Sequence, residues 1–362
     1  MPDFNKEIQK LKLALTSDCV LNCRHCFIDK GLGLNLRFAD AARAVDLFLS
    51  SPGERKRLEL YGGEPFLRYD LLREIVAYAR RANLKARKKL FITVATSAVP
   101  LDAGKLRWLK ENRVGLAISF SGGREAHDHS RVFPGGAGSH AVVKKKSGLA
   151  ASALKGGGLV ALYCVHPKQA GSVPEDFEKV IRAGFRVVDI ECVHGHGWTA
   201  AGEAAFRAGL EKVLARIDAG IRRGAFVFLE TFQDMLVCAG SRAKFACPLY
   251  RDLEMYPDGS YSLYPFGFVD YRGSIGRIRI GRGARGLKKR FTACSFPSEA
   301  CGSCVRDYYT IGRLGDGHAP YAYRTGRVES FFKGVLEKAA SDPRYFKYVK
   351  AVHKMTEAAY GG

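Results

Sequence analysis

Three thiols fall within eight positions in the stretch CVLNCRHC: Cys19, Cys23 and Cys26, spaced C-x3-C-x2-C. The residues ahead of them, MPDFNKEIQKLKLAL, are charged and lack the apolar run of a secretion signal. The expectation is a cytoplasmic protein, where clustered cysteines act as metal ligands or catalytic groups rather than disulfides. Three thiolates on one tight loop suit a cubane iron–sulfur cluster with one iron left open for a substrate. Zinc with a distant fourth ligand such as His25 is the alternative. A second dense set, Cys294, Cys301 and Cys304, stands in CSFPSEACGSC, with Cys238 and Cys247 ahead of it.

The elements that must position these groups alternate. Residues 11–15, LKLAL, read as a strand running straight into the first cysteine loop. RLELYGGEP reads as a strand and a glycine turn, LFITVATS and VGLAISFSGG as further strands, and GLVALYCVH and FRVVDIECVH as two more. Between them lie helical stretches, among them DLLREIVAYARRANL, with Leu71, Leu72, Ile75, Val76 and Ala79 on one face. Such alternation argues for an α/β fold with a parallel sheet, open or closed into a barrel. A long helix follows, with Phe206, Leu210, Val213, Leu214 and Ile217 at helical spacing. Three regions are expected: 1–225, a cysteine- and tyrosine-rich 226–327, and a helical tail over 328–362. Cys164 and Cys192 lie in apolar strand patterns and are expected to be buried and inert.

The 362 residues carry a formal net charge of +22, which favours anionic partners. Arg272 to Arg290 holds eight basic residues and no acidic one. Such a run either borders a channel for an acidic peptide or is a solvated face. The basic residues are not interleaved with aromatics as a nucleic-acid stacking platform needs, so nucleic acid is not the expected partner. No stretch is apolar and long enough to span a bilayer.

C-x3-C-x2-C after a first strand, followed by YGGEP at the end of a second, resembles the radical S-adenosylmethionine enzymes. The resemblance implies a partial (β/α)6 barrel of the TIM type, a 4Fe-4S cluster on Cys19, Cys23 and Cys26, and S-adenosylmethionine on the open iron. It implies reductive cleavage to a 5′-deoxyadenosyl radical that removes a hydrogen from the substrate, with a reductant such as flavodoxin or ferredoxin. Gly62, Gly63, Glu64 and Pro65 match the turn that receives the methionine amino group. Ser119 would reach the ribose or methionine moiety, and Arg131 the carboxylate. Ser97 stands in TSA where relatives often have Thr-Asn-Gly, and Phe27 would pack on adenine.

AISFSGGREAHDHSRVFPGGAGSHAVV, residues 117–143, resembles a stretch of the members that modify peptides and proteins. It implies a peptide or protein substrate, modified by a crosslink, a thioether or an epimerisation. The region around MYPDGSYSLYPF resembles the C-terminal cluster domain called SPASM, or its shortened form called twitch. Tyr264 occupies the usual cysteine position there, and Pro265 that of an aspartate base, which argues against formylglycine formation. The expectation is one auxiliary 4Fe-4S cluster on Cys247, Cys294, Cys301 and Cys304, with Cys238 in reserve; a zinc knuckle has the same ligand types. Tyr264 and Tyr261 are the candidates for a hydrogen donor or proton relay. A one-cluster domain also leaves room for oxidation of a small molecule such as an aminoglycoside-like alcohol. The third possibility is a non-enzymatic cluster protein that binds nucleic acid through its charge.

Overall fold

A computed structural model describes residues 7–26, 28, 30–154, 157–193, 196–232, 252–262, 279–281 and 319–360. Seven parallel strands run in chain order from β1 to β7: β1 (Lys10–Ala14), β2 (Arg55–Tyr61), β3 (Lys89–Thr96), β4 (Val114–Ser119), β5 (Leu159–Val165), β6 (Val187–Cys192) and β7 (Phe228–Leu229). The connecting helices are α1 (Phe38–Ser50), α2 (Tyr69–Ala86), α3 (Ala103–Glu111), α4 (Arg124–Ser130), α5 (His140–Leu154), α6 (Val173–Arg182) and α7 (Ala200–Arg223). This is the alternating α/β arrangement with a parallel sheet that the sequence pattern predicts, and it accords with the partial barrel that the resemblance implies.

Strand phase sorts the side chains. Leu11 and Leu13 on β1, Leu58 and Leu60 on β2, and Ile92 and Val94 on β3 point into the main core. There they meet Leu71, Leu72, Ile75, Val76 and Ala79, the α2 face that the spacing predicts. Full burial of such side chains contributes about 1.5–3 kcal/mol each. The alternate residues form a second, smaller cluster: Ala14, Ile28, Tyr61 and Tyr256, with Ala95 and Cys26 packed against it. The cysteine loop therefore rests on a layer built from the opposite strand face.

The chain returns to the first edge of the sheet far downstream. β8 (Asp252–Met255) pairs in parallel with β1, Lys10 opposite Asp252 and Leu13 opposite Met255. A turn at Pro257–Ser260 then leads antiparallel into β9 (Tyr261–Ser262), which β10 (Arg279–Gly281) extends. Asp258 accepts from the Ser260 amide at 2.9 Å and Gly259 has φ 79°, so the PDG sequence makes the turn its residues favour. Gly259 also lets the turn lie against the buried Asp40 carboxyl of α1, where a Cβ would sit 3.1 Å from Asp40 Cγ.

The C-terminal tail is two helices rather than one, α8 (Ala319–Ala339) and α9 (Pro343–Tyr360). Asp342 and Pro343 restart the helix: the Asp342 carboxylate accepts from the Arg344 amide, and proline is well suited to a first turn. Phe332 of α8 stacks on Phe232 at 4.1 Å, and Tyr348 of α9 donates to the Val227 carbonyl, so the tail packs on the β7 side. Among the described residues, no helix is long and apolar enough to cross a membrane.

Candidate active site

The cysteine loop leaves β1 and is held from two sides. On one side lies the GGE turn after β2. Gly63 N–H donates to the Thr16 carbonyl and Glu64 N–H to the Asp18 carbonyl, both at 2.8 Å. A Cβ on Gly63 would lie 2.1 Å from Asp18 O, and one on Gly62 would lie 2.6 Å from Thr16 O, where φ is already 136°. Both glycines are therefore required by the close approach of the cysteine loop's own backbone, a reason the sequence does not reveal. On the other side lies the segment after α4. Asn22 N–H donates to Val132 O and Arg24 N–H to Ser130 O, both at 2.7 Å, and the Arg24 guanidinium reaches His129 O at 2.8 Å. These bonds bracket Arg131 and bring it to the loop across more than a hundred residues.

Cys19, Cys23 and Cys26 are half-buried free thiols. Burial pushes Cys19 up to about 12, against the Leu21 amide that donates to its sulfur. Burial also raises Cys26, with Lys30 and Arg131 pulling the other way. Cys23 raises both neighbours by its own charge, so the three thiols share one electrostatic neighbourhood. The buried Nδ1 of the half-buried His25 has no hydrogen-bond partner, and burial followed by the Arg131 charge holds its imidazole well below the usual range. Three thiols, an orphaned ring nitrogen and a buried cation fit a group that is bound there and supplies anionic charge.

Glu64 is fully buried, and its carboxylate takes four donors. Oε1 accepts from Thr96 Oγ at 2.8 Å and from Phe66 N at 3.3 Å; Oε2 accepts from Ser97 N at 3.0 Å and from Ser97 Oγ at 2.5 Å. Burial raises its pKa and the four bonds oppose that. Ser97 is thereby tied to Glu64. Ala98 follows with φ 67°, a left-handed conformation natural to glycine.

Ser119 ends β4, half-buried. Arg131 is 6% exposed; its Nε faces Ser121 Oγ at 3.4 Å and its Nη2 lies 3.1 Å from Cys164 Sγ. No carboxylate pairs with it among the described residues. His127 is wholly buried and satisfied: Nδ1 accepts from Ser121 N, so Nε2 carries the proton and donates to Ser139 Oγ at 3.0 Å. Ser139 in turn donates to the Arg131 carbonyl. Asp128 accepts from the His140 amide that opens α5. HDHSR and GGAGS are thus two halves of one clamp on Arg131.

Two residues missed by sequence reasoning belong here. Cys164 is not in the main core: it lies on the alternate face of β5 and meets Arg131, whereas Cys192 is buried in the main core. Tyr256 shares a cluster with Cys26, whereas Tyr261 packs in the main core near Arg43 and Asp40, and burial pushes it up to about 12. Strand phase was the signal for Cys164, but the uniformly apolar flanks of β5 hid it; the place of Tyr256 depends on the pairing of β8 with β1. Phe27, Tyr264, Cys238, Cys247, Cys294, Cys301 and Cys304 lie outside the described residues.

Residues 13–182 match the family model described as the Radical SAM superfamily. That stretch, a little under half of the 362 residues, carries a radical SAM domain. An uncharacterized protein of Methanocaldococcus jannaschii is 26% identical over 129 residues; the match covers 36% of this chain and 44% of that protein. The fold is similar to anSMEcpe with bound AdoMet and Cp18Cys peptide: TM-score 0.68, 16% identity, 97% of this chain and 98% of that one. It is also similar to Streptococcus suis SuiB bound to precursor peptide SuiA: TM-score 0.54, 14% identity, 74% of this chain and 62% of that one.

Proposed function

We propose that this chain cleaves S-adenosylmethionine reductively and abstracts a hydrogen from a peptide or protein, leading to a post-translational modification such as a crosslink, thioether or epimerisation. The observation that carries the reading is the single hydrogen-bonded unit formed by the cysteine loop, the GGE turn and the Arg131 clamp at one end of a parallel sheet. Ligand sites of such sheets lie at the carboxyl ends of the strands. The peptide substrate is supported by the likeness to anSMEcpe and SuiB, both of which are seen with peptides.

Cys19, Cys23 and Cys26 would hold the cluster. When bound, the cluster supplies the one electron that cleaves S-adenosylmethionine to the 5′-deoxyadenosyl radical. Arg131 would meet the methionine carboxylate, because it is a buried guanidinium with no acidic partner among the described residues. Glu64 has no lone pair left for the amino group; it orients Ser97 and Thr96, and the backbone of Gly62, Gly63 and Pro65 is what remains for that contact. Ser119 would contact the ribose and Phe27 the adenine. Cys247, Cys294, Cys301 and Cys304, with Cys238 in reserve, would hold an auxiliary 4Fe-4S cluster in 226–327, and a flavodoxin or ferredoxin would serve as reductant.

The test is anaerobic reconstitution with iron and sulfide counting, beside a Cys19/Cys23/Cys26→Ala triple variant. About eight irons per chain, falling to about four with loss of deoxyadenosine in the variant, is the expected result for two cubanes. Zinc in place of iron, or no deoxyadenosine under any reducing condition, overturns the reading. Deoxyadenosine formation that no peptide stimulates, but that a metabolite does, moves the substrate to a small molecule.

A further inference from the structure

Three imidazoles meet beside the cysteine loop from three separate elements. His129 lies in the last turn of α4, His166 directly follows β5, and His196 follows β6. Their rings pack edge to face, His129 on His166 at 4.4 Å between centroids and His166 on His196 at 4.9 Å. His166 is 9% exposed, and its Nδ1 accepts from the Lys168 amide at 3.2 Å. Its Nε2 therefore carries the proton and remains a donor. His129 and His196 are half-buried, which leaves the group open to the strand-end mouth.

The surroundings are cationic. Arg24 is tied to the His129 carbonyl, and its charge and that of Lys168 act on His129; Glu125 is the acidic neighbour on the same helix. Burial first, then His129, His196 and Lys168, hold His166 down to about 4, with no acidic group opposing. His25, within the cysteine loop, feels both His166 and His196. His129, His166 and His196 do not form a metal-holding group. The group therefore presents a buried imidazole N–H of His166 between two half-buried rings, with Arg24 and Lys168 as its cationic neighbours.

We infer that His129, His166 and His196, with Arg24 and Lys168 at the rim, form a subsite for a carboxylate carried by the substrate. A carboxylate accepts from imidazole N–H groups, and charge-assisted bonds of this kind are about twice as strong as neutral ones. The inference deepens the proposed function, since it rests on this mouth receiving the substrate, but it does not need that substrate to be a peptide.

The experiment uses the anaerobically reconstituted protein with saturating S-adenosylmethionine, so that the methionine carboxylate is already placed. Ligand-observed NMR titrations compare two probe pairs: acetyl-Gly-Glu-Gly-amide against acetyl-Gly-Gln-Gly-amide, and glutarate against glutaramide. The acid should bind at least about tenfold more tightly than its amide, the scale of one charge-assisted hydrogen bond. In His129→Gln and His196→Gln, both half-exposed positions, that preference should fall to within about twofold while cluster content stays normal. A preference seen only in the peptide pair puts the acid on a peptide. A preference shown equally by glutarate keeps the subsite but argues for a small-molecule substrate. Equal binding of acid and amide, or a preference that survives both substitutions, overturns the subsite.

Discussion

Gly63→Ala separates two explanations of the GGE turn: space for a ligand, or space for the cysteine loop. The added Cβ would stand 2.1 Å from Asp18 O and 2.7 Å from Ser17 O, both backbone atoms. Normal contact needs more than 3 Å, so the loop must move by about 1 Å. That movement gives up the bonds from Gly63 N to Thr16 O and from Glu64 N to Asp18 O. Each is worth about 1 kcal/mol, and residual crowding brings the loss to about 2–4 kcal/mol. At roughly 2 °C per kcal/mol or somewhat more for a chain of this size, the metal-free protein should melt about 4–10 °C lower. Differential scanning fluorimetry of the metal-free protein measures this, and iron counting after reconstitution reports whether the loop still loads. An unchanged melting temperature with weaker S-adenosylmethionine binding would refute the loop-packing argument and return the glycines to ligand contact.

Three further predictions follow from buried groups. Glu254 is buried, its Oε1 lacks a partner, and burial holds its pKa well above the usual range despite Lys12 and Tyr256. A raised carboxyl pKa means that the folded state keeps its proton longer, so stability is full below about pH 4.5 and declines as pH rises above it. Glu254→Gln should match the parent in thermal melts near pH 4.5 and exceed it by pH 8; a constant difference across that range would contradict this. Lys56 is buried, with its ammonium donating to Ile8 O, Ser51 Oγ and Pro52 O at 2.6–2.7 Å, although burial pushes it down to about 7. Lys56→Met removes a shared donor from three acceptors, of which Ser51 Oγ and Ile8 O keep another, and should cost about 1–3 kcal/mol in urea titrations; an unchanged midpoint would show that the remaining donors suffice. Ala98→Gly removes a left-handed alanine and should stabilise by up to about 1 kcal/mol in the same assay, and destabilisation would refute the strain argument.

Much of the frame is local and therefore legible. Leu71, Leu72, Ile75, Val76 and Ala79 are spaced as one helical face, and the structure buries that face. The alternation in LKLAL and RLELY puts leucines on one side of the sheet whatever lies around them. The helical tail was legible but its break was not: at Asp342-Pro343 a cap and a proline start a new helix inside a periodic pattern. Cys164 was missed because the uniformly apolar β5 does not show which of its two faces will meet the cysteine loop, and Tyr256 because nothing local shows that β8 pairs with β1.

The sequence by itself determined the chemistry available: three thiols on a loop after a first strand, a glycine turn after a second, and an arginine beyond a fourth. Spacing along the chain carries this, because a loop of eight residues fixes which groups can share a cluster. Only the tertiary structure decided which distant groups complete the site. Parallel pairing sets β8 beside β1 and brings Tyr256 under Cys26. The strand ends gather Arg131, Cys164, His129, His166 and His196 around one loop. Those neighbours depend on register and on crossovers of tens of residues or more, which local pattern does not encode.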